Sequence, residues 1–201
     1  YAAAGINLAV GAFSYVLSMR TAYEGIGEIV PPERVARVKR VGYIYIAIGI
    51  SGFAALGAEV VWTRLLSLLL GGTVYTFSII LAVFLAGLWL GSSAGAFWAR
   101  RLDHPALGLA GCQVLLVFSI GWTAYALAYS LPYWPVDPWL SLSPQFNFQL
   151  DLVRCVWAIL PATLLWGASF PLALAAAAEP GEDPARLSGE VYAANTAGSI
   201  I

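Results

Sequence analysis

The chain has 201 residues, of which 60% are hydrophobic and 10% charged, with a formal net charge of −1; soluble globular proteins run near 45–50% and 25%. That balance excludes a water-solvated domain and a nucleic-acid-binding surface, and it points to an integral membrane protein. Eight tryptophans, ten tyrosines and nine phenylalanines suit a chain with two lipid–water boundaries to mark.

Apolar runs of about 20 residues mark spans, and the polar clusters between them mark their ends. The first run, 2–19, opens on Tyr1 without a charged leader region and ends at Arg20; it is expected to be the end of a preceding membrane helix, residues 1–20. Residues 21–41, TAYEGIGEIVPPERVARVKRV, form a polar linker broken by Pro31 and Pro32. The bundle proper is expected over 42–201, with spans at about 42–70, 74–99, 106–130 and 148–177. An incomplete helix follows over 189–201. Gly71 and Gly72 make the first turn a tight one, with the next helix starting at Val74 or Tyr75. The predicted fold class is therefore all-α: a polytopic transmembrane bundle of about five spans plus the start of a sixth, and a fragment of a longer chain.

Basic residues orient it. Of ten Lys and Arg, eight lie on one side: Arg20, Arg34, Arg37, Lys39, Arg40, Arg100, Arg101 and Arg186. The opposite connections, 71–74 and 131–147, have none. By the positive-inside rule, loops 20–41, 100–105 and 179–188 are cytoplasmic, and Tyr133, Trp134 and Trp139 reach the opposite headgroup level. The expected location is a bacterial inner membrane, multi-pass, with the lipid bilayer and neighbouring helices of this chain or of partner subunits as its surroundings.

Within the spans, the charges stand out. Glu59, Arg64, Asp151 and Arg154 each carry an insertion cost of about 2.5–3.5 kcal/mol unless partnered. Five residues turn Glu59 and Arg64 about 140° apart on their helix, so they face different neighbours, whereas Asp151 and Arg154 are spaced to face the same way. The expectation is an interhelical network of all four in the outer half of the membrane. It would fix packing and register, line a path for a cationic solute, or meet a partner subunit.

GLWLGSSAG places Gly87, Gly91 and Gly95 at every fourth position, a small-residue stripe that lets a helix backbone approach closely, within the bundle or between subunits. Pro161 and Pro171 are expected to kink or break the fifth span and leave carbonyls unpaired. Cys112 and Cys155 lack CxxC spacing and read as small buried hydrophobes. The single His104 makes no metal site, and no metal or other cofactor is expected. Gln113, Thr123 and Thr163 are the main polar candidates at mid-membrane.

SGFAALGAEVVWTRLLSLLLGGTVYTFSIILAVFLAGLWLGS, together with ILPATLLWGASFPLA and GEVYAANTAGSI in the same order, resembles the membrane region of bacterial fused major-facilitator/spermidine-synthase-like proteins. That resemblance covers about 46–99 and 159–201. It implies a membrane domain in repeated halves, attached in many members to an aminopropyltransferase-like (polyamine) domain. No glycine-rich turn after a soluble strand stands in these residues, so no catalytic residue is assigned, and an enzyme domain is expected only outside them. GSSAGAFWARRLDHP also resembles, more loosely, the glycine-and-basic loop of major-facilitator transporters, without that loop's acidic residue. The favoured function is an anchor or scaffold domain, including a subunit of a larger membrane complex. The alternative is a major-facilitator-like transporter segment for a small solute, cations included.

Overall fold

The computed structural model describes residues 33–135, 139, 143–178 and 183–200. Residues 37–201 form one compact unit, which holds the helix bundle. The run at 2–19 and the loop 179–182 lie outside the described residues.

Five α-helices build the unit, and no strand occurs among the described residues. They are α1 (Glu33–Leu70), α2 (Val74–Ala99), α3 (Pro105–Tyr125), α4 (Pro144–Ala177) and α5 (Pro184–Ile200). Four stretches are long and apolar enough to cross a membrane: Gly42–Leu70, Val74–Ala99, Pro105–Tyr133 and Pro144–Ala177. The fold is an all-α transmembrane-type bundle, as composition requires. The described part of α5 is 17 residues.

The helix ends follow local chemistry. Gly71 has φ +102°, a left-handed turn that costs glycine nothing. Two residues later the Thr73 hydroxyl accepts from Thr76 N–H at 3.1 Å and starts α2. Helices α3, α4 and α5 each open on a proline, Pro105, Pro144 and Pro184. There a missing N–H is harmless, since the first helical donors have no intrahelical partner. Ser143 accepts from Phe146 N–H at 3.5 Å, and Asp183 Oδ1 from Ala185 N–H at 2.9 Å. As a result α4 starts four residues and α5 five residues before the predicted points, and α1 begins at Glu33, inside the predicted linker. Past Tyr125 the chain widens into a π turn (Ala126–Ser130) and tightens into a 3-10 turn (Leu131–Tyr133).

Packing centres on α4. Its main partner is α2, then α3. Gly87, Gly91 and Gly95 are buried, and all three face α4. A β-carbon on Gly91 would collide with the Leu164 backbone, and one on Gly95 would lie 2.7 Å from the Ala168 backbone. On α4, Gly167 returns the contact, closing against the backbone of Leu88. The small-residue stripe thus packs within the chain. Its contacts advance together, Gly87 to Thr163 and Gly95 to Ala168 and Pro171, so α2 and α4 run parallel. In the same way Gly49 and Gly52 on α1 meet Ala194 and Asn195 on α5.

Two apolar clusters fill the interior. One gathers Trp62, Leu66, Ile79, Val83, Phe84, Leu116, Ile159 and Trp166; the other gathers Ile44, Ile48, Leu109, Leu172, Leu187 and Val191. Large apolar side chains also cover the outside, Trp89, Leu107 and Phe118 among them at 69–71% exposure. Such a surface fits lipid, not water.

Pro161 and Pro171 both lie inside α4, yet the helix runs unbroken from Pro144 to Ala177. A proline removes the hydrogen bond to the carbonyl four residues back, which for Pro161 is that of Trp157. The structure shows what replaces it. Trp122 Nε1 on α3 donates to Trp157 O at 2.9 Å, and Thr123 Oγ1 lies 2.7 Å from Ala158 O. Neighbouring α3 residues therefore serve the two carbonyls nearest the break. Trp122→Phe is expected to cost about 1 kcal/mol, the usual worth of an interhelical hydrogen bond in a membrane. In a Pro161→Ala background, where the backbone N–H returns, the same change is expected to cost little. A double-mutant cycle on unfolding in mixed micelles checks both values.

Candidate functional site

The sequence-predicted charges separate into two places. Asp151 and Arg154 share one face of α4, with Arg154 Nη1 3.5 Å from Asp151 Oδ1 and side-chain exposures of 17% and 15%. Such a spacing is long for a charge-assisted bond. Arg154 Nε is buried with no hydrogen-bond acceptor among the described residues. Cys155, next in sequence, is fully buried.

Glu59 sits elsewhere. It lines a cavity of about 380 Å³ together with Trp166, Gly167 and Phe170 of α4. Trp166 lies 15 residues beyond Asp151, a rise of about 22 Å along the helix axis, so the four charges do not share one depth. The reason is where each falls in its helix: Asp151 stands two turns into α4, while Glu59 is three residues from the centre of the Gly42–Leu70 span. Arg64 is exposed on α1. Neither Glu59 nor Arg64 makes an ion pair among the described residues. The expected four-membered network is thus one intrahelical pair and two separate charges.

The cavity lies among α1, α2, α4 and α5. Ser51, Glu59, Ser92, Asn195 and Ser199 supply its polar lining, and Ile48, Ala55, Leu56, Phe84 and Leu88 its apolar walls. Close packing of α1 against α5 brings the polar groups together. A β-carbon on Gly52 would strike the Asn195 backbone and approach Asn195 Oδ1 and Ser199 Oγ at 2.7 and 2.9 Å. One wall is Trp166, 5% exposed and packed on Trp62 and Phe84 with ring centroids 5.4 and 6.2 Å away. Its indole Nε1 has no acceptor among the described residues. The cavity therefore offers one half-buried carboxylate, several hydroxyl and amide groups, and an aromatic wall. Such a set can hold a small cation.

Near one end of the bundle, Glu190 ties α5 to α1. Its carboxylate accepts from Tyr45 Oη at 2.6 Å and pairs with Arg186 Nε at 2.8 Å. The Arg186/Glu190 spacing of four is legible in the sequence; the Tyr45 contact, from 145 residues away, is not.

Gln113, Thr123 and Thr163 do not reach the cavity. Gln113 Nε2 donates to Ser169 Oγ at 3.1 Å, Ser169 Oγ in turn to Leu165 O at 2.9 Å, and Cys112 Sγ to the same carbonyl at 3.2 Å. Thr163 Oγ1 bonds its own helix at Leu160 O. These groups join α3 to α4 or serve the α4 backbone. Cys112 and Cys155 are both buried and free. Among the described residues, no cluster of three or more His, Cys, Asp or Glu could hold a metal.

No protein-family model, curated protein or solved structure matches the chain.

Proposed function

We propose that this chain is a membrane domain that binds a small, singly charged organic cation in the cavity beside Glu59. The observation that carries the reading is an intramembrane carboxylate with no counter-ion among the described residues, set near mid-span in a cavity with hydroxyl and amide groups. A charge in that position is costly to keep and by default marks a functional site. One carboxylate balances one positive charge, so a monoamine or quaternary ammonium fits better than a di- or triamine. Ser51, Asn195 and Ser199 would fix its polar end, and Trp166 and Phe84 would cover its apolar part.

The test is binding of a panel of alkyl monoamines, a quaternary ammonium, diamines and triamines to the reconstituted protein by calorimetry. Saturable monocation binding is expected. Glu59→Gln should weaken it at least about thirtyfold, the lower end of what losing one partner of a buried charge pair costs. Equal binding by wild type and Glu59→Gln would refute the site.

A second reading, anchor or scaffold for an attached or partner protein, has its own support in the backbone-to-backbone α2–α4 core. The resemblance to spermidine-synthase-like proteins belongs to this reading. Peptide mapping of the native protein tests it: a soluble domain continuous with these helices is its expected result, and further helices alone would count against an attached enzyme.

A further inference from the structure

A second cavity, of about 470 Å³, opens between α2 and α3 above α4, and its lining is almost wholly apolar. Its walls are Gly91, Gly95 and Trp98 on one side and Leu107, Gly111 and Leu115 on the other. Glycines on both helices make it. Gly91 and Gly95 bring α2 down onto α4, and Gly111 leaves open space where a side chain would stand, with nothing within 4 Å of a β-carbon built there. From Leu107 to Leu115 the groove runs about 12 Å along α3, most of the roughly 15 Å depth of one hydrocarbon leaflet.

Arg100 and Arg101 fall in the turn between lining positions Trp98 and Leu102, at the end of the groove, and are not themselves among its lining residues. Both are exposed, and neither makes an ion pair among the described residues. Arg101 rests over the Phe97 ring, 3.6 Å from its centroid, which holds its cation beside the apolar surface instead of out in solvent. The same turn carries Asp103, leaving the short loop one net positive charge. Trp98, 63% exposed, suits an interfacial position. A hydrocarbon slot that ends at a turn with two exposed arginines, neither ion-paired among the described residues, complements one kind of molecule: acyl chain below, anionic headgroup above.

We propose that the α2/α3 groove is a binding site for an anionic glycerophospholipid, one acyl chain lying along Gly111 and the headgroup phosphate meeting Arg100 and Arg101. The site is separate from the Glu59 cavity and does not depend on any function assigned there. Native mass spectrometry of the full chain, exchanged into matched mixtures of phosphatidylglycerol and phosphatidylcholine, tests it. Wild type is expected to retain phosphatidylglycerol over phosphatidylcholine by about tenfold or more, since each basic residue near the surface contributes comparably. R100Q/R101Q should remove the preference. Gly111→Leu, which fills open space without touching a charge, should lower retention of both lipids. Equal retention of both lipids by wild type would overturn the proposal. So would a preference that survives R100Q/R101Q, retention unaffected by Gly111→Leu, or a second copy of the chain occupying the groove.

Discussion

Gly91→Val is expected to destabilise the bundle by about 3 kcal/mol or more, the upper range for forcing extra atoms into a packed interior. The obstacle at Gly91 is the main chain of Leu164, which cannot swing aside as a flexible side chain would. Relief requires α2 and α4 to separate, and their separation would also loosen Gly87 against Thr163 and Gly95 against Ala168. The contrast is Gly121→Ala on α3, where nothing lies within 4 Å of a β-carbon. That change is expected to be neutral or to gain up to about 1 kcal/mol, the usual advantage of alanine over glycine within a helix. Steric-trap or detergent-unfolding equilibria on the two variants decide the matter. Similar stabilities would mean that the glycine stripe is not the close-packed seam of the fold.

Asp151→Leu is expected to cost about 3 kcal/mol, because it leaves the Arg154 cation mostly buried without its counter-ion. The pair itself is worth much less. At 3.5 Å its geometry is poor, and Arg154 Nε already lacks an acceptor among the described residues. The double variant Asp151→Leu/Arg154→Leu should therefore recover most of the loss, as replacement of buried ion pairs by packed hydrophobes often does. The same unfolding measurement, run as a cycle, separates the two effects. If the double variant is as unstable as the single, the pair contributes net stability and the desolvation argument fails here.

Hydropathy and punctuation made the helices legible. The turn at Gly71 and the α2 limits, 74–99, follow from them directly. The starts of α4 and α5 were harder because their first turns are polar: PQFNFQL in one case and PARLSGE in the other. The readable signal there is a capping residue before proline, Ser143-Pro144 and Asp183-Pro184, which hydropathy does not register. The Gly87/Gly91/Gly95 spacing marked a close-packing face but carried no address for its partner, since parallel α2 and α4 are separated in the chain by all of α3. Glu59 stood out as a costly charge. Its companions Ser51, Asn195 and Ser199 could not be grouped with it, because α1 and α5 meet only through the folded bundle. Depth misled most. Counting from predicted helix ends placed Glu59 level with Asp151, and the lengths of α1 and α4 put them far apart.

Pro161 also constrains biogenesis. Alone in lipid, α4 would expose carbonyls with no donor and no water to supply one, at several kcal/mol for each unsatisfied group. Its donors, Trp122 and Thr123, precede it in the chain and are already synthesised when α4 emerges. The α3–α4 hairpin is therefore the smallest piece in which the carbonyl freed by Pro161 has a donor. Insertion of α4 is coupled to capture by its predecessor, so a nascent chain lacking α3 should be delayed or rejected at that step.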